Sequence, residues 1–337
     1  MSVRTATPIH RGWRLLVAGA AASSLLLSAC GGGGGEAEGE DAPEAQGGEL
    51  TFATGGTGGV YYVYGGGIAN VITNNLEGYS ATAQETNASV DNMLLIQEGA
   101  ADLALALGDV VADAVEGAGE FDGAPIDICS LGNLYDNFTQ PITTTDSGIT
   151  TVEDLSGRVV SVGAPGSATE VLATRIMEAA GLDAETDIDR RQLGVAETVA
   201  GLRDGTIDAG FWSGGLPTGA LVDLASTGEL ALIPTAEYAD ALAEQYGDYY
   251  FAGEIPADTY QGQTEASPQI VAPNILVVAS DMPEELQRSL TEVIFENKEE
   301  LITVHPSAEE LDPATAGDVD FIDTCPGAAA YFDEAAP

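Results

Sequence analysis

Short strand-like runs alternate with helix-length stretches along this 337-residue chain, and glycine-rich turns join them. "ELTFATG" reads as a strand entering a turn, and "VYYVYGGGIANVITNNL" as the helix that follows, with Gly65, Gly66 and Gly67 allowing close packing or loosening its middle. "YSATAQET" alternates like a strand. "NASVDNMLLIQEGAAD" reads as loop, cap and helix, with Ser89 or Asn87 as the cap. "ADLALALG" reads as a buried strand, and Asp109 is placed to cap the helix "VVADAVEGAG". A second unit repeats the grammar: "RVVSVG" as strand, "APGS" as turn, "ATEVLATRIMEAAGL" as helix, then a helix through "AETVAGLRDG" and a strand at "IDAGFW". Between the units, residues 126–145 read as two strands without a long helix, a crossing segment. Late in the chain, "NILVVAS" reads as a strand and "PEELQRSLTEVIFENKEELITV" as one long amphipathic helix. Such alternation dictates an α/β fold with mainly parallel sheets. The length exceeds one ordinary core, so two lobes are expected. A ligand sits naturally between two strand–turn–helix units, at the carboxyl ends of the strands.

The first 30 residues obey a different grammar. Arg4, Arg11 and Arg14 precede an apolar run from Leu15 to Leu27, 13 residues, too short to span a bilayer. Residues 1–29 read as a lipoprotein signal peptide, and "LSAC" as a lipobox with Cys30 as the lipidated residue. Residues 30–48, rich in Gly and Glu, read as a disordered tether, and 49–337 as the folded domain. The domain is therefore expected outside the cytoplasm, anchored at the membrane surface. Two cysteines follow, Cys129 and Cys325. In an oxidising compartment such a pair predicts a disulfide, against the alternative of two buried free thiols.

All 54 acids lie after the leader, against seven bases there: Arg158, Arg175, Arg190, Arg191, Arg203, Arg288 and Lys298. So negative a surface repels nucleic acid and anionic membrane. Because the acids are spread along the chain, they read as solvation suited to a halophilic or alkaliphilic source rather than as a docking face. Metal binding is not expected: the single histidine after the leader, His305, reads as a surface residue near a helix end, and no cysteine has a ligand-spaced partner. No cofactor is expected either.

"GGTGGVYY" lacks the Lys and Ser/Thr of a phosphate-binding P-loop and the G-x-G-x-x-G spacing of a dinucleotide site. With one histidine, a Ser-His-Asp arrangement is disfavoured, and the chain reads as a non-enzyme. A strand–turn–helix unit instead offers free N–H groups and a positive helix end, which suit a carboxylate as well as a phosphate. Gly58 and Gly59 let a ligand approach the backbone; Thr54, Thr57, Ser167 and Thr169 add hydroxyls; Tyr61, Tyr62 and Trp212 add flat contact.

Six blocks in order extend this reading. "TGGTGGVYYVYGGGIANVI", "NASVDNMLLIQEGAADLALALGDVVADAVEG" and "DSGITTVEDLSGRVVSVGAPGSATEVLATRIMEAAGL" are followed by "DGTIDAGFWSGGLPTGAL", "IPADTYQGQ" and "CPGAAAYF". From about Leu50 to Phe332 the chain resembles the TAXI family of TRAP-transporter solute-binding proteins. The resemblance implies a two-lobed, periplasmic-binding-protein-like (Venus flytrap) fold with a ligand cleft between the lobes. Lobe 1 would span about 49–140 plus 270–337, and lobe 2 about 141–269. It implies a monomer that captures a small carboxylate, such as glutamate or a related amino or dicarboxylic acid, and delivers it to an ion-driven TRAP permease. By motif, Thr54, Gly58, Tyr61, Ser89 and Asn92 would line the first lobe's face, and Gly166, Ser167, Thr169, Trp212 and Pro217 the second's. Cys325 stands where the family often has histidine, which supports its bridge to Cys129. The competing readings are a binding lipoprotein of an ABC amino-acid importer and a ligand-sensing partner of a membrane receptor.

Overall fold

The computed structural model describes residues 47–121 and 123–335. The leader, the lipobox Cys30 and the tether up to residue 46 lie outside the described residues. Chain order runs β1 (Glu49–Ala53), α1 (Val60–Asn75), β2 (Ser80–Gln84), α2 (Ser89–Gln97), β3 (Leu103–Leu107), α3 (Gly108–Glu116) and β4 (Ile128–Thr139). Then come β5 (Ile142–Thr144), β6 (Val159–Ser161), α4 (Ala168–Ala179), β7 (Asp189–Arg191), α5 (Val195–Asp204), β8 (Ala209–Gly210), β9 (Ser213–Gly214) and α6 (Gly219–Ala225). The chain closes with β10 (Leu230–Leu232), α7 (Ala239–Tyr246), β11 (Phe251–Ile255), β12 (Ser267–Ala279), α8 (Glu284–Glu296), α9 (Lys298–Val304) and α10 (Pro326–Ala335).

These elements build two sheets, one per lobe. The first runs β2-β1-β3-β12-β4-β9, with β11 beside β12; the second runs β10-β5-β8-β6-β7. The sheets are mixed rather than mainly parallel: β1, β2 and β3 pair parallel, as strands joined by helical crossovers must, while the long β12 runs antiparallel to β3, β4 and β11 because it enters from the far end of the chain. The chain crosses between sheets at the β4–β5 junction, the crossing segment expected from residues 126–145. β9 and β11, from the middle of the sequence, return to the first sheet. All five residues of β3, "LALAL", are buried, as befits a strand covered on both faces. One apolar cluster draws on both lobes: Leu107 and Val110 from the first, Leu172 and Ile176 from the second. No helix among the described residues is long and apolar enough to cross a membrane.

The glycine run of α1 has a tertiary reason. A Cβ at Gly65 would lie 2.4 Å from the Thr54 side chain, and one at Gly67 would lie 2.9 Å from Val304. Gly65 therefore lets α1 press onto the end of β1, and Gly67 seats α9 on its other side. Gly66 meets nothing. Cys129 on β4 and Cys325 at the start of α10 form the expected disulfide, Cα atoms 5.0 Å apart. Backbone hydrogen bonds run beside it, Ser130 N–H to Asp323 O and Cys325 N–H to Ser130 O, both at 2.9 Å.

Four local expectations give way to tertiary structure. The long late helix is two, because Asn297 ends α8 and begins α9: its amide donates to Val293 O, and its carbonyl accepts from Glu300 and Leu301 N–H. Asp109 does not cap α3; it is the second residue of that helix and fully buried. Ser89 does not cap α2, for its hydroxyl accepts from Leu107 N–H, and Ala88 occupies the cap position. Asn87 supplies no cap either; its own N–H donates to Asp91. His305 is buried rather than on the surface. Its Nδ1 accepts from Ser307 N–H, which leaves the ring proton on Nε2, 3.3 Å from Pro217 O. Burial lowers its pKa, which favours that neutral form.

Candidate functional site

Four helix starts converge on one cavity of about 570 Å³ between the lobes. α1 and α2 enter it from the first sheet, α4 and α5 from the second. Each follows a turn after a strand, so its first N–H groups have no acceptor one turn back. α1 begins after Gly59 and α5 after Gly194, glycines that carry no capping side chain. Among the described residues, no acceptor pairs with the N–H groups of Val60, Tyr61, Val195 or Ala196. The aligned peptide dipoles add partial positive charge at these ends. Among the described residues, no Lys or Arg lines the cavity.

Acidic side chains occupy the rim, already engaged by backbone. Glu85 accepts from Thr57 N–H at 3.3 Å, Asp91 from Asn87 N–H at 3.1 Å and Glu197 from Gly194 N–H at 3.0 Å. On the floor, Asn137 donates its amide to Ser213 Oγ at 2.7 Å, and its carbonyl oxygen has no partner although the residue is 97% shielded from solvent. A buried unsatisfied polar atom costs about 1–3 kcal/mol, and Asn137 is among the residues that line the cavity.

Of the ten residues expected to face a ligand, Tyr61, Ser89, Ser167, Thr169 and Trp212 line the cavity. The other five lie beside or beneath it. Thr54 is wholly buried, its hydroxyl donating to Gln84 O at 2.6 Å. Asn92 sits beneath α2, its amide shared between Thr54 O and Leu105 O, both at 2.7 Å. Gly58, with φ of 87°, turns the loop before α1 and packs toward Val195, Ala196 and Ala220 of the opposite lobe. Gly166 belongs to the contact between lobes: its carbonyl accepts from Val90 and Asp91 N–H at 3.1 and 3.2 Å. A turn of one lobe thereby caps a helix of the other. Pro217 lies behind the cleft, its carbonyl beside His305.

Among the lining hydroxyls, those of Tyr61, Thr86 and Ser167 have already spent their protons. Ser167 Oγ donates to Ala164 O at 2.7 Å and accepts from Glu170 N–H, the N-cap of α4. Tyr61 donates to Asn274 Oδ1, and burial raises its phenol further, so it stays neutral. Thr169 Oγ1 accepts from Ser213 N–H at 3.2 Å, which leaves its own proton free to donate. The donors left for a ligand are therefore backbone N–H groups together with hydroxyls such as those of Thr169 and Ser213. Trp212 forms a wall: its indole N–H donates to Thr218 Oγ1 at 2.9 Å, and its ring lies so near Gly59 that a Cβ there would approach within 2.8 Å. Sequence reasoning passed over the α5 start, Asn137 and Ser213. "LGVAETV" carried a signal for the first: glycine before an apolar helix start, with an acid three residues on. Asn137 and Ser213 meet only through strand pairing between β4 and β9, which no local pattern reveals.

The fold and the cleft together define a two-lobed α/β protein with a solute-sized interlobe cavity. The chain belongs to the NMT1-like family, whose family model matches residues 52–335. Among solved structures, it is similar to the periplasmic aliphatic sulphonate binding protein SsuA from Escherichia coli. That match has 16% identity over 86% of this chain and 84% of that one, with a TM-score of 0.48. It is also similar to a putative L-cystine ABC transporter protein from Listeria monocytogenes, with 15% identity over 81% and 99% of the two chains and a TM-score of 0.47. A substrate-binding protein of an amino acid ABC transporter matches at 16% identity over 78% and 97%, with a TM-score of 0.45.

Proposed function

We propose that this protein is the extracytoplasmic solute-binding subunit of a membrane importer and that it captures a small carboxylate, such as glutamate or a related amino or dicarboxylic acid. One observation carries the reading: the starts of α1 and α5, with unpaired N–H groups, line one cavity from opposite lobes, and no Lys or Arg among the described residues lines it. Anions bind helix starts without any cationic side chain, and the short range of these donors suits a protein whose acidic surface repels anions at a distance. Val60, Tyr61, Val195 and Ala196 would hold the carboxylate through their N–H groups, Thr169 would donate its hydroxyl, and Asn137 would accept from the solute's own donor. The role is binding rather than turnover.

The two lobes, about 49–140 plus 270–337 and about 141–269, would close on the solute as a trap, with Cys30 lipidated to hold the chain at the membrane. The order of six sequence blocks supports a TRAP permease of the TAXI type as the partner. The similar amino acid and L-cystine proteins named above belong to ABC transporters instead. Reconstituting the protein with a candidate permease in vesicles separates these: uptake driven by an ion gradient supports the first, uptake that requires ATP the second. The binding reading itself is tested by a thermal-shift screen of small carboxylates and amino acids at high salt, where a ligand raises stability by RT ln(1 + [L]/Kd). A screen in which no carboxylate shifts the melting transition overturns it.

A further inference from the structure

A buried ionic cluster joins the lobes outside the cavity. Arg175 lies on α4, two turns past the residues that line the cleft. Its side chain is only 10% exposed. Nη2 pairs with Asp113 Oδ2 at 2.5 Å, and Nη1 donates to the Tyr250 hydroxyl at 2.9 Å. Tyr250 in turn donates to Asp109 Oδ2 at 2.7 Å, and Arg175 Nη1 lies 3.8 Å from that same oxygen. The ring of Tyr246 lies under the guanidinium, 4.1 Å from its carbon. Asp109 and Asp113 ride on α3, which follows β3 of the first sheet; Arg175 rides on α4, which follows β6 of the second. The ion pair therefore crosses the line along which the lobes would part. Arg191, Arg203 and Arg288 make salt bridges with carboxylates that are mostly exposed, and Arg190 joins Glu170 and Glu185 within the second lobe. Arg175 alone among the described ion pairs spans the two sheets with both carboxylates shielded.

We propose that Arg175 is a positioning residue, a latch that holds lobe 2 on lobe 1 and sets the start of α4 against the cavity. The proposal rests on the binding role argued above. A solute first meets an open cleft, and the contacts made on closure decide how long it stays. Arg175 touches no cavity surface, so it acts on the dissociation rate and leaves the encounter rate alone. Guanidinium suits the post: its fork reaches Asp113 and Tyr250 together while its face rests on Tyr246, which an ammonium cannot reproduce.

The test compares wild type with Arg175→Lys, Arg175→Met, and Arg175→Met combined with Asp109→Asn and Asp113→Asn. The last variant leaves no unpaired buried carboxylate and guards against misfolding; melting curves confirm the fold of each. Small-angle scattering reads the radius of gyration without ligand, and stopped-flow mixing with glutamate and 2-oxoglutarate reads both rates. Both Met variants are expected to have a larger radius and a dissociation rate raised about tenfold or more, the worth of one hydrogen bond to a charged group. Association should stay within about twofold, and Lys should restore part of the effect. An unchanged dissociation rate in folded variants overturns the latch. If neither probe binds wild type, the carboxylate reading fails and the scattering decides alone: an unchanged radius overturns the latch, a larger one upholds it.

Discussion

Proline at position 195 isolates the backbone N–H on which the binding account depends. Val195 is the first residue of α5, and its N–H has no partner among the described residues. Proline is tolerated at the first helical position, where φ is already near its fixed value. Gly194 before it has φ −65° and ψ 165°, the extended conformation that proline demands of its predecessor. Val195→Pro therefore removes one donor while keeping the helix. If that donor holds a carboxylate oxygen, the loss is that of a charge-assisted hydrogen bond, about 1.5–3 kcal/mol, or roughly 10- to 150-fold in Kd. Val195 is also buried against Gly58 of the other lobe, so Val195→Ala serves as the control that trims the side chain and keeps the N–H. Calorimetry on both variants, with the tightest carboxylate from the screen, checks the difference. A proline variant that melts normally and binds within twofold of the alanine variant refutes the assignment of α5 to the ligand.

Three further outcomes follow from the same structure. Asp109 is pushed up to about 6 by burial, against the lowering pull of Arg175 and Tyr250. The folded chain thus holds a proton between about pH 4 and 6 that the unfolded chain releases; the stability this gives at low pH is lost as pH rises through about 6. Urea melts from pH 4.5 to 7.5 should show a slope that Asp109→Asn flattens, a contribution of about 2 kcal/mol across that range; an unaltered slope counts against the buried carboxylate. Replacing both Cys129 and Cys325 with alanine, which frees a loop of 196 residues, should cost about 2–5 kcal/mol. The measurement is denaturant unfolding of the variant beside the oxidised protein, and equal midpoints would contradict a stabilising bridge. With 54 acids against 10 bases, self-repulsion should make the melting temperature climb steadily from low to molar salt; a flat or falling curve in scanning calorimetry would show that the charges are otherwise balanced.

Local pattern carried much of the fold. The alternation around "TFATGG" and "LALALG" placed β1, α1, β2, α2 and β3, and the crossing segment emerged as β4 and β5, because strand and helix periods are written in neighbouring residues. The two cysteines also meet as expected. What escaped depends on residues distant in sequence. Asp109 reads as a cap until Arg175 and Tyr250, 66 and 141 positions on, take its carboxylate. Ser167 reads as a ligand hydroxyl until Ala164 O claims its proton. His305 reads as exposed until the Pro217 loop covers it. Gly65 and Gly67 gain their reason only from Thr54 and Val304. The same holds at the cleft: the motifs pointed to the turns before α1 and α4, while the α5 start and Asn137 needed the assembled lobes. Hydroxyls drew attention as donors, yet those of Tyr61 and Ser167 are spent, and the free donors include backbone N–H groups, which any sequence has and only geometry leaves unpaired.

The central claim is that helix starts, without any cationic side chain, hold a small carboxylate between two closing lobes. Titration calorimetry at high salt addresses it directly, using glutamate, 2-oxoglutarate and succinate beside the same compounds with their carboxylates capped as methyl esters. Saturable binding of at least one free acid at a single site, abolished by capping, is the predicted result. Equal binding of acid and ester, or no binding of any acid, would contradict it.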